Sequence, residues 1–426
     1  MSTADFDTDL MRSVVAAMPD GPLRLLREEA VDRFSEIGFP TIGDEDWKYT
    51  NLSAAVELSN AWLASISESG MPHPVGTLPA IDAVRQAIDA DWIVLCDGRV
   101  HELAPTIEGV EISRIDDSNT SADIDSDPMT LFNTALLQDG VHVRINRGCK
   151  IDRPIGLLFI DSPSNAVSQT RVSIDVQDNA DVKVIEVLLS SDEGPQFTNA
   201  VTNIRVAGGA CVNHVRIQSR TREHTGVTRI PVMLERDAQY HHNSFDFGGA
   251  MTRTDLVADI CGAGADVSMN GLYLASGDQH IDNHTLVTHK VGPARSREEY
   301  RGILAGRSQC VFNGKVVVEE GADGTDSGQS NHNLLLSDRA EIDTKPELEI
   351  YADDVKCAHG ATVGQLDETA LFYLRSRGLD PDAARQMITR AFAAETLSTL
   401  CVEACRDYLE TLLDARLQEL VGTGDD

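Results

Sequence analysis

Cys357 and His359 stand two positions apart in the stretch from Thr344 to Gly378, TKPELEIYADDVKCAHGATVGQLDETALFYLRSRG. In an extended segment a side-chain period of two puts both on one face. The pair is then a soft thiolate ligand beside a borderline imidazole, where a strand pattern ends and a helical one begins. The alternative for a C-x-H pair is a half-buried strand cysteine and a histidine that caps a turn. A second cluster lies in DQHIDNHTLVTHK, with His280, Asp282, His284 and His289. In a strand the first three share a face, two imidazoles and a carboxylate within reach of one metal. It is not the helical H-E-x-x-H of a zinc protease. A stacked polar ladder or an interface is the competing reading of those three residues. His241 and His242 are adjacent, so a strand would send them to opposite faces.

Other chemistries fail direct checks. GRSQCVFNGKV (Gly306 to Val316) lacks the glycine spacing and the Ser or Thr after Lys315 of a phosphate loop. No G-x-G-x-x-G opens a helix after a strand, and no G-x-S-x-G nucleophile elbow occurs. Cys401 and Cys405 sit one helical turn apart among apolar residues, as core positions do.

Three regions must position these residues. Residues 1–90 read as helical, with Leu23, Leu26, Ala30 and Phe34 at three- and four-residue spacing before Pro40 and Gly43 break the run. The acidic, aromatic segment DEDWKYTNL (Asp44 to Leu52) follows. Across residues 91–364 helical periodicity almost vanishes, and short Val/Ile/Leu runs alternate with Gly, Asn and Asp turns. A degenerate repeat sets apolar residues at minus six, minus four and plus two around an alanine. Ile174, Val176, Ala180, Val182 fit it, as do Ile204, Val206, Ala210, Val212, then Val232, Leu234, Ala238, Tyr240, and Leu334, Leu336, Ala340, Ile342. Such recurrence suits a right-handed parallel β-helix with an alanine at each tight corner. A β-sandwich would need frequent Asn-Gly hairpin turns, and Asn-Gly occurs only at Asn270-Gly271 and Asn313-Gly314. Residues 365–426 return to helical period through Leu371, Leu374, Met387, Ile388, Ala391 and Phe392. Asp380-Pro381 is an N-cap followed by Pro at the first helical position, and a long amphipathic helix is expected through Leu397, Leu400, Tyr408, Leu412 and Leu417. These helices either cap the solenoid or dock a partner. The fold class is therefore mainly β, a solenoid core between two helical regions.

The 426 residues carry a formal charge of −32, which argues against nucleic acid as a partner. No run approaches the ~20 apolar residues that span a bilayer. The N-terminal segment has no positively charged start or apolar stretch of a secretory signal. Eight cysteines without a C-x-x-C pair are neither a disulfide framework nor a closed zinc site, and a soluble cytoplasmic protein is expected. A polysaccharide-cleaving β-helix enzyme is the alternative from another class. Aromatics at 5% and the missing secretory signal speak against it.

Asp44 to Leu52, HIDNHTLVTH (His280 to His289), SNHNLLLS (Ser330 to Ser337) and Asp343 to Gly364 together resemble the SufB/SufD family. These are the non-ATPase scaffold subunits of the SUF iron–sulfur cluster assembly system. The resemblance covers essentially the whole chain, and TKPELEIYADDVKCAHGATVGQLDE is its most specific segment. The SufD branch is nearer than the SufB branch, whose chains are usually longer and lack the K-C-x-H-G-A-T-V-G run. The resemblance implies a SufB–SufC₂–SufD complex. SufC, an ABC-type ATPase, would dock on the C-terminal helices, where Leu371, Met387, Phe392 and Leu397 are the candidate positions. SufB would pair through the β-helix edge. There His359 matches the family's interface histidine, which works with a SufB cysteine on the nascent cluster, and Cys357 is its neighbour. ATP binding would twist the heterodimer and expose that site. The same resemblance implies no enzymatic activity of this chain's own and no stable metal site. It implies no tightly bound cofactor, only a transient cluster shared with SufB. The same edge is compatible with a homodimer of the isolated chain, which the sequence leaves open.

Overall fold

In the computed structural model, which describes residues 5–19, 21, 23–70, 79–116, 127–163, 165–191 and 194–422, the alanine repeat marks the corners of a parallel β-solenoid. Residues 1–4 and 71–78 of the expected helical start, and 423–426 of the expected tail, lie outside the described residues. The backbone N–H of Ala180, Ala210 and Ala238 closes a tight turn onto the carbonyl three residues earlier, at 3.1, 3.1 and 3.3 Å. The residue before each alanine is left-handed: Asn179, Gly209 and Asp237 have φ of 57°, 66° and 58°. Those are the residue types that reach this conformation at low cost.

Strands alternate between two facing sheets, so each coil contributes one strand to each. In the first sheet Asp181–Ser190, Cys211–Gln218, Gln239–Asp246, Asp266–Ala275, Arg295–Leu304, Asp326–Leu335 and Lys356–Gly364 stack in chain order. In the second, Gln196–Val206, His224–Leu234, Met251–Ile260, His280–His289, Gln309–Val318 and Glu341–Ile350 do the same. Asp181 lies beside Cys211, Cys211 beside Gln239 and Gln239 beside Asp266, about 30 residues per coil. The starting end is closed by antiparallel partners, Arg99–Glu102 against Asp91–Cys96 and Val110–Arg114 against Val141–Ile145.

The flanking apolar residues of the repeat point inward, where Ile174, Val176, Val182, Ile204, Val206, Val212, Val232 and Leu234 form one core. Burying each such side chain contributes about 1.5–3 kcal/mol. The match around Ala340 differs. Ala340 sits at the opposite corner, leading into the second sheet, and Leu335 rather than Leu334 or Leu336 packs on the inner core. That change of corner explains why Ala340 follows Ala322 at short spacing. Both Asn-Gly pairs lie in mid-strand, within Asp266–Ala275 and Gln309–Val318, and make no turn. Gly271 is there because a Cβ would meet the Tyr300 ring of the next coil at 2.2 Å.

Helices cover the outer faces. Thr8–Ala17, Arg24–Ile37 and Ser53–Ser69 lie on the second sheet, where Phe34 and Trp62 share a core with Val167, Phe197 and Val227. A helix inside the β region, Pro128–Ala135, joins them; the sequence pattern missed it because every residue after Pro128 is buried, so no polar face reveals a period. Asp127 caps it by accepting from the Thr130 N–H at 2.7 Å. Pro79–Ala87, Pro381–Ser398 and Arg406–Gly422 cover the first sheet, with Leu397, Leu409, Leu413 and Leu417 against Val187, Ile217, Phe245 and Leu272.

The expected long C-terminal helix is two helices. Buried Asn243 on the first sheet interrupts it: its Oδ1 accepts from the Cys401 N–H at 3.0 Å and its Nδ2 donates to Thr399 Oγ1 at 3.4 Å. Asp380 does cap Pro381–Ser398, accepting from Ala383 N–H at 2.9 Å. None of these helices crosses the end of the solenoid. They lie along its flank, and the last coil stays open.

Candidate functional site

The last coil is Glu341–Ile350 in the second sheet and Lys356–Gly364 in the first, and each is an edge strand. Lys356–Gly364 is exposed along nearly its whole length, unlike the strands beneath it. Such an edge offers unpaired N–H and C=O groups to another chain. Pro346 fits only because its strand is an edge that has no further ladder to complete.

Cys357 and His359 do share a face, and it is the inner one. Cys357 lies over Ser327, half-buried against the core, and His359 lies exposed over Gln329. Burial pushes the Cys357 thiol up, Asp326 adds to this, and the Ser327 backbone and Arg297 pull the other way. The thiolate is disfavoured near neutral pH, so the imidazole is the readier ligand of the two.

Beneath His359 runs an inward column in which His214, His242, Met269, Glu298, Gln329 and His359 occupy successive coils. The lower part is a closed network. Tyr240 Oη lies 2.9 Å from His214 Nδ1 and 3.3 Å from His242 Nδ1, and the two imidazole centroids are 4.8 Å apart. Burial holds His242 well below its ordinary value, so it is neutral. Burial alone would raise the Glu186 carboxyl, yet His214, whose Nε2 lies 3.8 Å away, with Arg216 and Thr202, draws it below the usual range. Higher up, Glu298 Oε2 accepts from Thr285 Oγ1 at 2.6 Å and from Gln329 Nε2 at 3.2 Å. Burial dominates there and pushes the Glu298 carboxyl up to about 7. The SNHNLLLS segment belongs to this interior. Asn331 Nδ2 donates to Tyr273 Oη at 3.1 Å, and Asn333 Nδ2 donates to Asn331 Oδ1 at 2.6 Å. Sequence reading did not find Glu298 or Gln329. Their signal was the two-residue alternation itself, carrying polar residues where the repeat elsewhere has Val.

His280, Asp282 and His284 share the outer face of their strand, and the Asp44 to Leu52 segment covers them. Asp282 Oδ2 accepts from Arg253 Nη1 at 2.9 Å and from the Thr50 hydroxyl, and His284 Nε2 lies 2.9 Å from Asp282 Oδ1. Thr50 Oγ1 is also 2.9 Å from His280 Nε2. Arg253 donates to the Asp46 carbonyl at 2.7 Å, with its guanidinium 3.8 Å from the centroid of the buried Trp47 ring. Burial opposes ionisation of Asp282, but His284 and Arg253, with Thr50, hold it well below the usual carboxylate range. Asp282 is thus committed to an arginine and a hydroxyl. The cluster is a junction fastening the N-terminal segment to the second sheet. Among the described residues no group of three or more His, Cys, Asp or Glu is placed to hold a metal ion.

The C-terminal candidates separate by exposure. Leu397 is buried against the first sheet and offers nothing to a partner. Leu371 is buried too, and Phe392 packs on the same core with Arg301 5.1 Å from its ring centroid. Met387 is exposed, and so are Phe372 and Tyr373, 73% and 56% accessible, which the sequence reading passed over.

A family model described as "SUF system FeS cluster assembly, SufBD core domain" matches residues 158–392. The iron–sulfur cluster assembly protein SufD of Escherichia coli is 32% identical over 398 residues, 92% of this chain and 92% of that protein. An iron–sulfur cluster assembly SufBD family protein of Synechocystis is 28% identical over 435 residues, 95% and 93% of the two chains. Protein ABCI7, chloroplastic, of Arabidopsis thaliana is 26% identical over 412 residues, 91% and 84%.

Two outcomes follow from this geometry. Arg253→Met strips buried Asp282 of its arginine partner and is expected to cost about 3–5 kcal/mol in denaturant unfolding. Adding Asp282→Asn should recover much of that loss, and a single-variant cost below about 1 kcal/mol would contradict the junction. Glu298 keeps its proton to about pH 7 in the folded chain, whereas an unfolded chain releases it near ~4.3. Its stabilisation is therefore complete below the unfolded value and is lost as pH rises through the folded one. Glu298→Gln should gain stability over the wild type between about pH 4 and 7, by roughly 2–4 kcal/mol. Urea titrations at several pH values measure the difference, and a constant gap across the range would refute it.

Proposed function

Because the chain belongs to the SufBD family of SUF-system iron–sulfur cluster assembly proteins, on its SufD side, we propose that it is a non-ATPase scaffold subunit that shares a cluster-building site with SufB. The observation that carries this reading is the uncovered last coil, with an exposed imidazole and a half-buried thiol on its inner face. One imidazole is an incomplete ligand set for iron. Thiolates from a second chain would complete it, and an incomplete set on each side suits a cluster that is cargo and has to leave. In this reading His359 is the ligand, and Cys357, held as a thiol by burial, lies beside it.

The edge strands would supply the pairing surface for SufB. SufC would dock on the helical flank at Phe372, Tyr373 and Met387, where apolar side chains face outward and Arg377 lies 5.2 Å from the Tyr373 ring centroid. The hydrolytic work would belong to SufC, and this chain would be a scaffold with no activity of its own. The proposed setting is the reducing cytoplasm, where its free cysteines stay unoxidised. No helix among the described residues is long and apolar enough to cross a membrane. Family membership favours this reading over the polysaccharide-cleaving alternative.

Removing the whole tail after Gly364 is a poor test of docking, because Leu397, Leu409, Leu413 and Leu417 cover the first sheet. The decisive variant is His359→Ala in the complex with SufB and SufC. Iron and sulfide loading should fall at least about tenfold while the subunits still co-purify. Undiminished loading would remove His359 from the site. Phe372→Ser with Met387→Ser should release SufC and leave SufB bound, and full recovery of SufC would exclude that docking face.

A further inference from the structure

Gln329 is the residue stacked directly under His359 in the first sheet, and it is only 5% exposed. Its amide is held from below. Nε2 donates to Glu298 Oε2 at 3.2 Å, and that carboxyl group is itself fixed by Thr285 Oγ1 at 2.6 Å. The position is shaped for this carboxamide. Across the core stands Gly314, where a Cβ would lie 2.1 Å from Gln329 Nε2. With the nitrogen committed to Glu298, the carbonyl oxygen is what remains, and Gln329 Oε1 is buried without a hydrogen-bond partner. Leaving such a buried acceptor unpaired is unfavourable, so it is a standing demand for a donor. Neighbouring strands are about 4.8 Å apart, so the side chain above is within reach of one hydrogen bond.

A histidine that ligates a metal through one ring nitrogen almost always donates from the other, usually to a carboxylate or carbonyl, and this fixes tautomer and ring orientation. We propose that Gln329, oriented by Glu298, is the positioning residue of His359: its carbonyl oxygen accepts the imidazole N–H and leaves the other nitrogen free to bind iron. The proposal rests on the reading of His359 as a ligand. It adds a supporting layer inside this chain, Thr285 to Glu298 to Gln329 to His359, that runs inward from the interface. An exposed imidazole on a terminal strand would otherwise sample both tautomers and rotate freely.

The test uses the full-length chain with ring-¹⁵N-labelled histidine, the His359 signals being assigned by their loss in His359→Ala. In the wild type the neutral imidazole should favour one tautomer more strongly than free histidine does. Gln329→Met, similar in length but without an acceptor, should return the ratio to that of free histidine. In the complex with SufB and SufC the same variant should lower iron and sulfide loading by about 10–100-fold, with subunit assembly intact. If Gln329→Met proves unstable, Glu298→Gln unlocks the amide at constant shape and should weaken the tautomer preference in the same direction. An unchanged ratio in these variants overturns the proposal. So does unchanged loading in Gln329→Met when His359→Ala abolishes it. If His359→Ala itself loads normally, the ligand reading has failed, and the tautomer ratio alone still decides whether Gln329 holds the ring.

Discussion

Every coil of a parallel solenoid depends on the next for half of its backbone hydrogen bonds, and the last coil has no next. That constraint organises the molecule. At the starting end it is met by antiparallel partners, Arg99–Glu102 and Val110–Arg114, which close both sheets. Along the flanks, helices bury the outer faces. At the far end Glu341–Ile350 and Lys356–Gly364 keep their free edges, although helices of ample length follow immediately in the chain. Those helices are committed elsewhere by Leu397, Leu409, Leu413 and Leu417. A long exposed strand edge can pair with another chain, and in the reading proposed above that chain is SufB.

The interior makes that edge precise in position. An apolar solenoid core tolerates small slips of register, because one Val replaces another. Here the inner face of the first sheet turns polar from Glu186 onward, with Arg216 and Asp246 2.7 Å apart and fully buried. Buried ion pairs of this kind add little net stability over well-packed hydrocarbon, but breaking one is expensive. Their effect is to make alternative registers costly. Interlocking rings act in the same direction: Tyr300 occupies the space over Gly271 and Tyr273 the space over Gly302, where a Cβ would lie 2.2 and 2.3 Å from the ring. A one-residue slip would send each of these groups to the wrong face. Register is thus transmitted coil by coil up to Gln329 and His359.

Much of this was legible in the residues, and the failures have physical causes. The corners at Ala180, Ala210 and Ala238 were readable because a tight turn admits few residue types. The C-x-H spacing correctly placed Cys357 and His359 on one face, since a two-residue period needs only local geometry. Pro128–Ala135 was invisible because burial on all sides erases helical periodicity. The break between Pro381–Ser398 and Arg406–Gly422 was invisible because its cause, Asn243, lies far away in sequence. His280, Asp282 and His284 were open to a metal, a ladder or an interface reading, because a sequence shows donor types and not their commitments. Only the fold brings Arg253 and Thr50 onto Asp282. Gln329 carried no local signature, since its meaning comes from the residues stacked above and below it.

The junction of the Asp44 to Leu52 segment with the second sheet has a mechanical consequence. The Asp44 to Leu52 segment reaches past Arg253 and Asp282 to the last coil, where Lys345 Nζ lies 3.0 Å from Glu45 Oε1 and 2.7 Å from Glu347 Oε1. Lys315 Nζ, one coil below, is 2.7 Å from Glu349 Oε1. Exposed pairs of this kind contribute little, so they do not account for the stability of the edge. The Lys345–Glu45 pair does tie the outer face of Glu341–Ile350 to a helical region anchored by buried aromatics. The second sheet's edge is braced from outside by ion pairs, and the first sheet's edge rests on the polar column inside. The strand that carries His359 is therefore the one whose support comes from within, where Glu298 and Gln329 lie, and a partner can cover its outer side without displacing that support.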